Sequence, residues 1–559
     1  MQIVLPLIIA LPVLSALATV ALGNGRRLRV SRISAAFLTL TWLLASLQLW
    51  RAIAGTAPTG PVPLFGWTAF QSDPLGALMS WVIAGIALIV HLYSRRYMAE
   101  ERGYTRFFVL MNLMTAALLA MVAANDLILL VVAWHLIGVF LYLLLGLDLT
   151  SREAHGYAIW TLVTFRLGDL PMVLAAALLF NSYGTWSLSD ILAALTADPA
   201  GAQVLGLPLP TVVGLLIALS AFARSAQVVT HLWLPYTMDG PTPVSALMHA
   251  GIVNAGGFLI NRFAPVFVHA EAALHLMFIV GLVTAVIGSV LMLTQHDIKK
   301  SLGYSTMGQM GFMIMECGVG AFSLAIYHLI AHGVFKGTLF LGAGGVIGAA
   351  RRDDGVPAED LYTFVVERQI TRPRRPWLAM ATLTVIVPAA ILFVTHYVVE
   401  QSYFDKQGAI VLLFFGWMTG AQLIFATHHM RAENPVRLFV LILFSFAVVV
   451  LGYAFIAHVF DMFLYPDPAF RAAIYKAAGI KLVYFDFFVV LLTVIFVLGW
   501  IFAYYSERRR LIGRDRTAAL RRLFYRAAAR ELYVGDVMSG ASRVLVGGAR
   551  RVNALLGGR

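Results

Sequence analysis

The stretch from Ala223 to Arg262 sets Arg224, His231, Asp239 and His249 among residues apolar enough to lie in a bilayer. Ionisable groups at membrane depth are costly, so they usually face the interior of a helix bundle, pair with one another and mark an ion path. Prolines and glycines interrupt the stretch between residues 235 and 243, and unwound backbone is tolerated in a membrane only where protein or water satisfies it. The combination predicts a proton-handling transport subunit.

Lysine is rare in this chain, and only Lys336 falls deep inside a predicted apolar span. His328 and His332 precede it at intervals of four residues, so the three side chains share one face of a helix. A desolvated lysine exchanges its proton more readily than an exposed one, and histidine titrates near neutrality. The row could therefore pass protons along the membrane plane. The structural alternative is that both histidines donate to backbone carbonyls and hold helices together.

Three further polar residues belong to other predicted spans. Arg166 and Asp169 lie three apart on one helix, so they either pair locally or meet groups on other helices, and a structural and a working ion pair are both open. His135 could exchange protons with the region near Arg224, or be a hydrogen-bonded core histidine. Because a guanidinium is effectively never deprotonated, Arg224 can bias a neighbour but cannot carry a proton.

Metal binding is the competing chemistry for the histidines. His328 with His332, and His428 with His429, each offer two imidazoles, but no acidic or cysteine ligands stand at a spacing that completes a zinc set. The single Cys317 excludes an internal disulfide or a cysteine-built metal site. The sequence thus predicts neither a metal nor a cofactor in this chain, and no catalytic residue.

The composition defines the class of protein that carries these groups. Of 559 residues 60% are hydrophobic and 12% charged, which is typical of a polytopic membrane protein. Residues 507–559 hold thirteen arginines against four acidic residues, a net charge of +9 within the total of +13. A basic tail after the last span is the usual mark of a cytoplasmic end near anionic lipid, so nucleic acid is not the predicted partner.

The apolar runs predict an all-α chain with about fifteen transmembrane helices of roughly 20 residues each. The runs lie at 2–23, 33–53, 75–94, 107–124, 127–147, 157–180, 210–230, 241–266, 272–294, 301–319, 321–349, 377–397, 408–427, 436–460 and 482–505. Lysine and arginine concentrate in the odd-numbered connections, which places the N-terminus outside and the tail in the cytoplasm. The segment after Tyr505 resumes as a basic amphipathic helix, predicted to lie on the membrane or against a partner.

Three segments resemble the antiporter-like membrane subunits of respiratory complex I and the Mrp antiporters: GPTPVSALMHA (240–250), QHDIKKSLGYSTMGQMGFM (295–313) and HLIAHGVFKGTLFLGAGGVI (328–347). The resemblance implies two five-helix repeats of inverted topology, each with a broken helix, at 107–266 and 272–427. N-terminal helices at 1–106, C-terminal helices at 428–505 and a basic tail at 506–559 flank them. The breaks would fall near Pro235 and Pro388.

The same resemblance implies a central row of polar residues as the ion path. The positions that match here are Asp169, Arg224, His249, Lys299, His328, His332 and Lys336. His135 and His396 complete the predicted path, His396 as the nearest candidate for the lysine that normally ends the row of the second repeat. The complex I subunits usually have Glu at the position of His135 and Lys at the position of Arg224. The first repeat therefore lacks the Glu and Lys pair of a standard pump.

The segment HAGIVNAGGFLINRFAP (249–265) resembles the DabB family, the membrane subunits of DAB inorganic carbon accumulation systems. This resemblance implies a bacterial inner membrane location and a DabA-like partner similar to a zinc β-carbonic anhydrase, at which a cation gradient drives CO₂ hydration. Zinc would then reside on the partner. Protons are favoured over Na⁺ because the row is cationic and rich in imidazole. The alternatives are a pump subunit of a complex I-like NADH:quinone oxidoreductase and a Mrp-like Na⁺/H⁺ antiporter subunit.

Overall fold

The computed structural model describes residues 3–57, 59–64, 66–295, 297–343, 455–456, 458–479, 518–535, 547–548 and 550–555. The chain divides into two compact units, one of Met1–Leu341 with Thr493–Arg559 and one of Gly342–Leu492. Except for a few residues at the end of the span 436–460, the predicted spans beyond residue 349 lie outside the described residues, as do the break near Pro388 and His396. The inverted repeats and their boundaries therefore stay predictions.

Helices account for most of the described chain. They are α1 (Val4–Leu22), α2 (Arg27–Ile53), α3 (Pro74–Tyr97), α4 (Tyr104–Ala123), α5 (Leu127–Leu145), α6 (Arg152–Tyr183), α7 (Leu188–Ala197), α8 (Leu209–Arg224), α9 (Thr242–Leu247), α10 (Ala255–Arg262), α11 (Ala264–Phe267), α12 (Glu271–Met292), α13 (Ile298–Gly318), α14 (Phe322–Ala343), α15 (Pro468–Ala478) and α16 (Ala518–Ala529). α15 belongs to the second unit, and α16 to the first.

The membrane-embedded, all-α character of the chain is confirmed. Among the described residues, nine helices are long and apolar enough to cross a membrane. Two further predicted spans are helical as well, but α8 has only 16 residues and α13 is not apolar enough to count among the nine. The total of about fifteen spans is not confirmed.

The connections contain structure that the apolar pattern does not predict. Two antiparallel hairpins pair β1 (Gly60–Leu64) with β2 (Trp67–Ser72) and β3 (Gln203–Val204) with β4 (Leu207–Pro208). The short helix α7 lies between the hairpins in the chain. These elements are shorter than the window over which hydropathy is averaged. The start of α5 has a clearer sequence signal, because Asp126 caps it by accepting from two backbone N–H groups.

The helix broken by proline is present, as the sequence predicts. α8 ends at Arg224 and α9 begins at Thr242, with two 3₁₀ turns between them, His231–Trp233 and Pro235–Asp239. The carbonyls freed at the end of α8 find new donors, because Thr230 Oγ1 donates to Phe222 at 3.0 Å and Trp233 Nε1 to Ala223 at 3.0 Å. Such local replacement is what allows a helix to stop inside a membrane.

A second irregularity lies at His249, where the five residues Met248–Ile252 form a π-helical turn between α9 and α10. Single π turns of this kind are frequent at functional sites. The side chain of Asn254 fastens the turn, donating to Ala250 O at 2.9 Å and to Leu329 O of α14 at 3.3 Å. The turn is thus tied to the helix that carries Lys336.

Glycines allow α12 and α13 to pack backbone to backbone. A Cβ at Gly288 would lie 2.5 Å from the backbone nitrogen of Gly308, and one at Gly281 would lie 2.6 Å from the carbonyl oxygen of Gly311. No side chain fits at such distances without separating the helices. The close approach fixes α13, whose residues line the site described below.

We expect Gly288→Ala to destabilise the protein by about 1–3 kcal/mol, the usual range for overpacking, because neither backbone can yield. The measurement is the thermal unfolding temperature in detergent. Gly156→Ala on α6 is the matched control, since a Cβ there meets nothing within 4 Å. Equal unfolding temperatures for the two variants would contradict the tight packing.

Candidate proton-handling site

The first polar cluster surrounds the carboxylate of Asp169 on α6. Arg166 Nη2 lies 3.0 Å from Oδ2 of Asp169, Arg224 Nη2 lies 3.3 Å from Oδ1, and His135 Nδ1 lies 3.3 Å from Oδ2. The Asp169 side chain is 9% exposed. One carboxylate therefore joins three helices, so Asp169 pairs both within its own helix and across the bundle.

Arg224 is the most deeply buried cation of this cluster, with its side chain 1% exposed. Its guanidinium lies 4.7 Å from the ring centre of Trp134 and 4.1 Å from that of Phe165, and it donates to the carbonyl oxygen of Trp134. Arg224 is also the last residue of α8, where the helix dipole favours a positive charge. Aromatic faces, a carbonyl and one carboxylate thus replace water around a permanent charge.

The contacts of His135 define its tautomer. Arg166 Nη1 contacts its Nε2, and because a guanidinium can only donate, Nε2 must accept. The ring proton is then on Nδ1, which donates to Asp169. A second proton on His135 would break the contact with Arg166. The side chain is half exposed and hydrogen-bonded to Asp169, so both interpretations of His135 stay predictions.

The second cluster begins at Lys336 on α14, which is 2% exposed. Its Nζ donates to Ser305 Oγ at 2.7 Å and reaches the carbonyl oxygen of Leu302 at 3.4 Å. Both partners are neutral oxygens on α13. They solvate the ammonium without fixing its charge, as an ion pair would.

His328 lies two turns from Lys336 on the same helix and contacts two side chains of α13. Its Nδ1 lies 3.1 Å from Glu316 Oε2, and its Nε2 lies 2.9 Å from Gln309 Oε1. Because the Gln309 amide can turn to present either oxygen or nitrogen, Nε2 keeps a partner whether or not it carries a proton. Glu316 is not among the residues predicted for the path, although a carboxylate inside a predicted span is itself a signal of a functional site.

The remaining members are His332, which lies between His328 and Lys336 along α14, and His249 on the π turn. Both are buried, and within the described ranges neither ring nitrogen of either one has a hydrogen-bond partner. The His249 ring stacks on Phe340 at 4.1 Å. His332 interacts electrostatically with His249, His328 and Lys336. The structural alternative requires hydrogen bonds from His328 and His332 to backbone carbonyls. The hydrogen bonds described for His328 go to side chains instead, and none is described for His332.

The structure therefore brings the predicted path residues into two groups. His135, Asp169 and Arg224 form the first, and His249, His328, His332 and Lys336 form the second. Ser225, next to Arg224, donates to the carbonyl of Val253 at 2.7 Å and so holds the π turn of the second group. Lys299 lies in the first turn of α13 instead, one turn before the carbonyl that Lys336 contacts.

Two models of known families match the chain. The membrane domain of NADH:quinone oxidoreductases and Mrp antiporters matches residues 124–366, and the N-terminus of complex I chain 5 matches residues 67–108. Both clusters lie within the first match. The chain is 54% identical over 549 residues to the probable inorganic carbon transporter subunit DabB1 of Halothiobacillus neapolitanus, covering 98% of each chain.

More distant relatives share part of the length. NAD(P)H-quinone oxidoreductase chain 5 of a Picosynechococcus species is 33% identical to this chain over 362 residues. The match covers 64% of this chain and 54% of that protein. Among solved structures, the Mrp complex of Dietzia sp. DQ12-45-1b gives a TM-score of 0.56 at 24% identity, covering 99% of this chain and 63% of that one. The structure of an archaeal membrane-bound sulfane sulfur reductase gives a TM-score of 0.55 at 19% identity. That match covers 88% of this chain and 99% of the other. These two likenesses concern the fold alone.

Removing the shared carboxylate leaves Arg224 buried without its counter-ion. We expect Asp169→Asn to destabilise the protein by about 3–5 kcal/mol, the usual effect of breaking a buried ion pair. The double variant Asp169→Asn with Arg224→Met should regain much of that loss, because no unpaired charge remains. Thermal unfolding in detergent measures both, and a double variant less stable than the single one would argue against the pairing.

Proposed function

The chain belongs to the DabB family of inorganic carbon transporter subunits, and we propose that it conducts the protons that drive accumulation of inorganic carbon. It is a multi-pass membrane protein with an antiporter-like membrane domain, and a transport subunit. The proposal adds a partner that resembles a zinc β-carbonic anhydrase and hydrates CO₂ at its metal. It also adds the bacterial inner membrane, with the N-terminus outside and the tail in the cytoplasm.

The row formed by His328, His332 and Lys336 of α14 with His249 of the π turn carries the proposal. Lys336, His332, His249 and His328 are neighbours, three of them are nearly free of solvent, and the two central imidazoles lack protein partners among the described residues. A buried polar group without a hydrogen-bond partner costs free energy. A path that holds water and passes protons is one of the few arrangements that explains such groups. A row of groups that each gain and lose a proton is what Grotthuss-type transfer needs.

The first cluster supplies a fixed field to this path. Arg166 and Arg224 keep their charges at any physiological pH, so one carboxylate between two guanidinium groups leaves an excess positive charge. His135 and Asp169 are the only titratable members, and each is held by partners. We infer that this cluster biases the row rather than carrying protons, in place of the Glu and Lys pair of complex I subunits.

The chemistry of the row favours protons over Na⁺. Sodium is bound by oxygen ligands, and the described carboxylates of both clusters are already paired, Asp169 with two arginines and Glu316 with His328. A protonated lysine would repel a metal cation, and neutral imidazoles beside it can accept a proton. On this proposal the chain itself carries no cofactor.

Lys336→Ala should lower inorganic carbon uptake about tenfold or more, since it removes a proton-transfer group, while the partner stays bound. Uptake of labelled bicarbonate and growth at air levels of CO₂ measure the effect, and affinity purification measures the assembly. Lys476→Ala, which changes an exposed lysine of the second unit, serves as the control. Full uptake by the Lys336 variant would remove Lys336 from the mechanism.

Gentle affinity purification from native membranes should yield one large stoichiometric partner containing zinc, with neither iron nor flavin. Metal analysis, absorption spectra and sizing of the purified complex provide the test. A many-subunit assembly with iron and flavin would instead indicate a complex I-like pump. Transport that requires Na⁺ would indicate a Mrp-like exchanger.

A further inference from the structure

One face of α5 is exposed along the helix, and a histidine lies in the middle of it. The exposed residues of this face recur at helical spacing and are otherwise apolar: Ile128, Val132, His135, Leu136 and Leu143. The side chain of His135 is 50% exposed, and the residue is near the middle of the 19-residue helix. Aliphatic side chains at that depth face lipid without cost, whereas an ionisable side chain there is expensive.

α6 extends this face with a second ionisable group. Leu167 and Leu170 are 65% and 64% exposed, and the side chain of Arg166 beside them is 28% exposed. Arg166 Nη2 donates to the carbonyl oxygen of His135 at 3.1 Å, so the guanidinium lies at the depth of the imidazole. The exposed residues of α5 named above, with Arg166, Leu167 and Leu170, form what we call the α5–α6 face.

The position of Arg166 is determined by the packing around it. A Cβ at Gly138 of α5 would lie 2.6 Å from Arg166 Nη2, so a larger residue there would displace the guanidinium. The same nitrogen lies 3.0 Å from Asp169 Oδ2. A free arginine extends its charge to the membrane surface, but one that is held at both ends of its guanidinium does not. The charge therefore stays at the α5–α6 face, at membrane depth.

Protein covers a charge in this position better than lipid or water does. Charged side chains within a membrane almost always face a bundle interior or a water-filled cavity. Exposed aliphatic side chains flank His135 and Arg166 on both helices, which does not suit a water-filled cavity. Helices in a membrane associate through close packing and through polar contacts between them, and this face offers both.

The charge behind the face indicates which kind of protein fits it. Arg166 and Arg224 share the single carboxylate of Asp169, which leaves an excess positive charge. Arg166 Nε and Arg224 Nη1 are buried donors with no hydrogen-bond partner among the described residues. A second copy of the chain, meeting this face across a two-fold axis, would bring two such excess charges together, which is unfavourable. An occupant with a carboxylate would offset the charge instead.

We propose that the α5–α6 face binds a membrane-embedded segment of the partner subunit, and that an aspartate or glutamate of this segment lies opposite His135 and Arg166. The inference rests on the proposed assembly with a partner, but not on the ion that the chain conducts or on zinc. The aliphatic side chains supply the packing area, and the charge pair fixes how the segment is aligned.

A photoreactive benzoylphenylalanine at Leu136, which is exposed next to His135, tests the occupant in the whole complex within native membranes. We expect a covalent adduct with the stoichiometric partner. Peptide mass spectrometry should place the crosslink in an apolar segment of that partner that contains an aspartate or glutamate. The same photoreactive residue at Val286, on an exposed apolar face of α12, is the matched control and should react with lipid only.

The role of the charge is tested by the amount of partner that co-purifies with Arg166 variants. Arg166→Gln removes the excess charge, so we expect recovery of the partner to fall about tenfold or more, whereas Arg166→Lys keeps the charge and should stay within about threefold. Arg152→Gln, at the exposed first residue of α6, is the control. Unfolding temperatures of the variants separate lost binding from lost folding.

Several results would overturn the inference. An adduct of twice the mass of the chain would show a second copy on the face, and an adduct within one chain would show that its own residues cover it. Lipid adducts alone at Leu136, or equal partner recovery with the Gln and Lys variants, would also contradict it while leaving the proposed function intact. No partner with the unchanged chain would refute the proposed assembly, and this inference with it.

Discussion

A charge held away from water needs its counter-charge within the protein, and that constraint shapes this bundle around Asp169. Three helices meet because one carboxylate satisfies Arg166, Arg224 and His135. Arg224 is also the last residue of α8, so the break begins directly beside this pairing. The donors that satisfy the freed carbonyls then fix the course of the chain toward the π turn at His249.

The two clusters divide fixed charge from movable charge. Arginines dominate the first, so its field is nearly independent of proton occupancy. The second consists of a lysine with neutral partners and three imidazoles, of which His328 faces the Glu316 carboxylate, and we propose that its charge varies. α13 supports the second cluster, because its side chains contact Lys336 and His328. Its glycine packing against α12 keeps those contacts in register.

Much of the site could be predicted from the sequence, because its signals are local. Proline and glycine locate the helix break, and spacing by three or four residues places His328, His332 and Lys336 on one face. The pairing of Glu316 with His328 and the sharing of Asp169 depend on contacts between different helices. No periodicity encodes which helix lies beside which, so those contacts required the fold.

The most direct test of the account is whether CO₂ moves protons through the purified complex when sodium is absent. Vesicles containing the complex and a trapped pH dye, in a medium with choline as the only added cation, would receive CO₂ under an imposed pH gradient. If the chain conducts the driving protons, we expect proton movement that depends on both CO₂ and the complex. Movement that appears only after Na⁺ is added, or none at all, would contradict it.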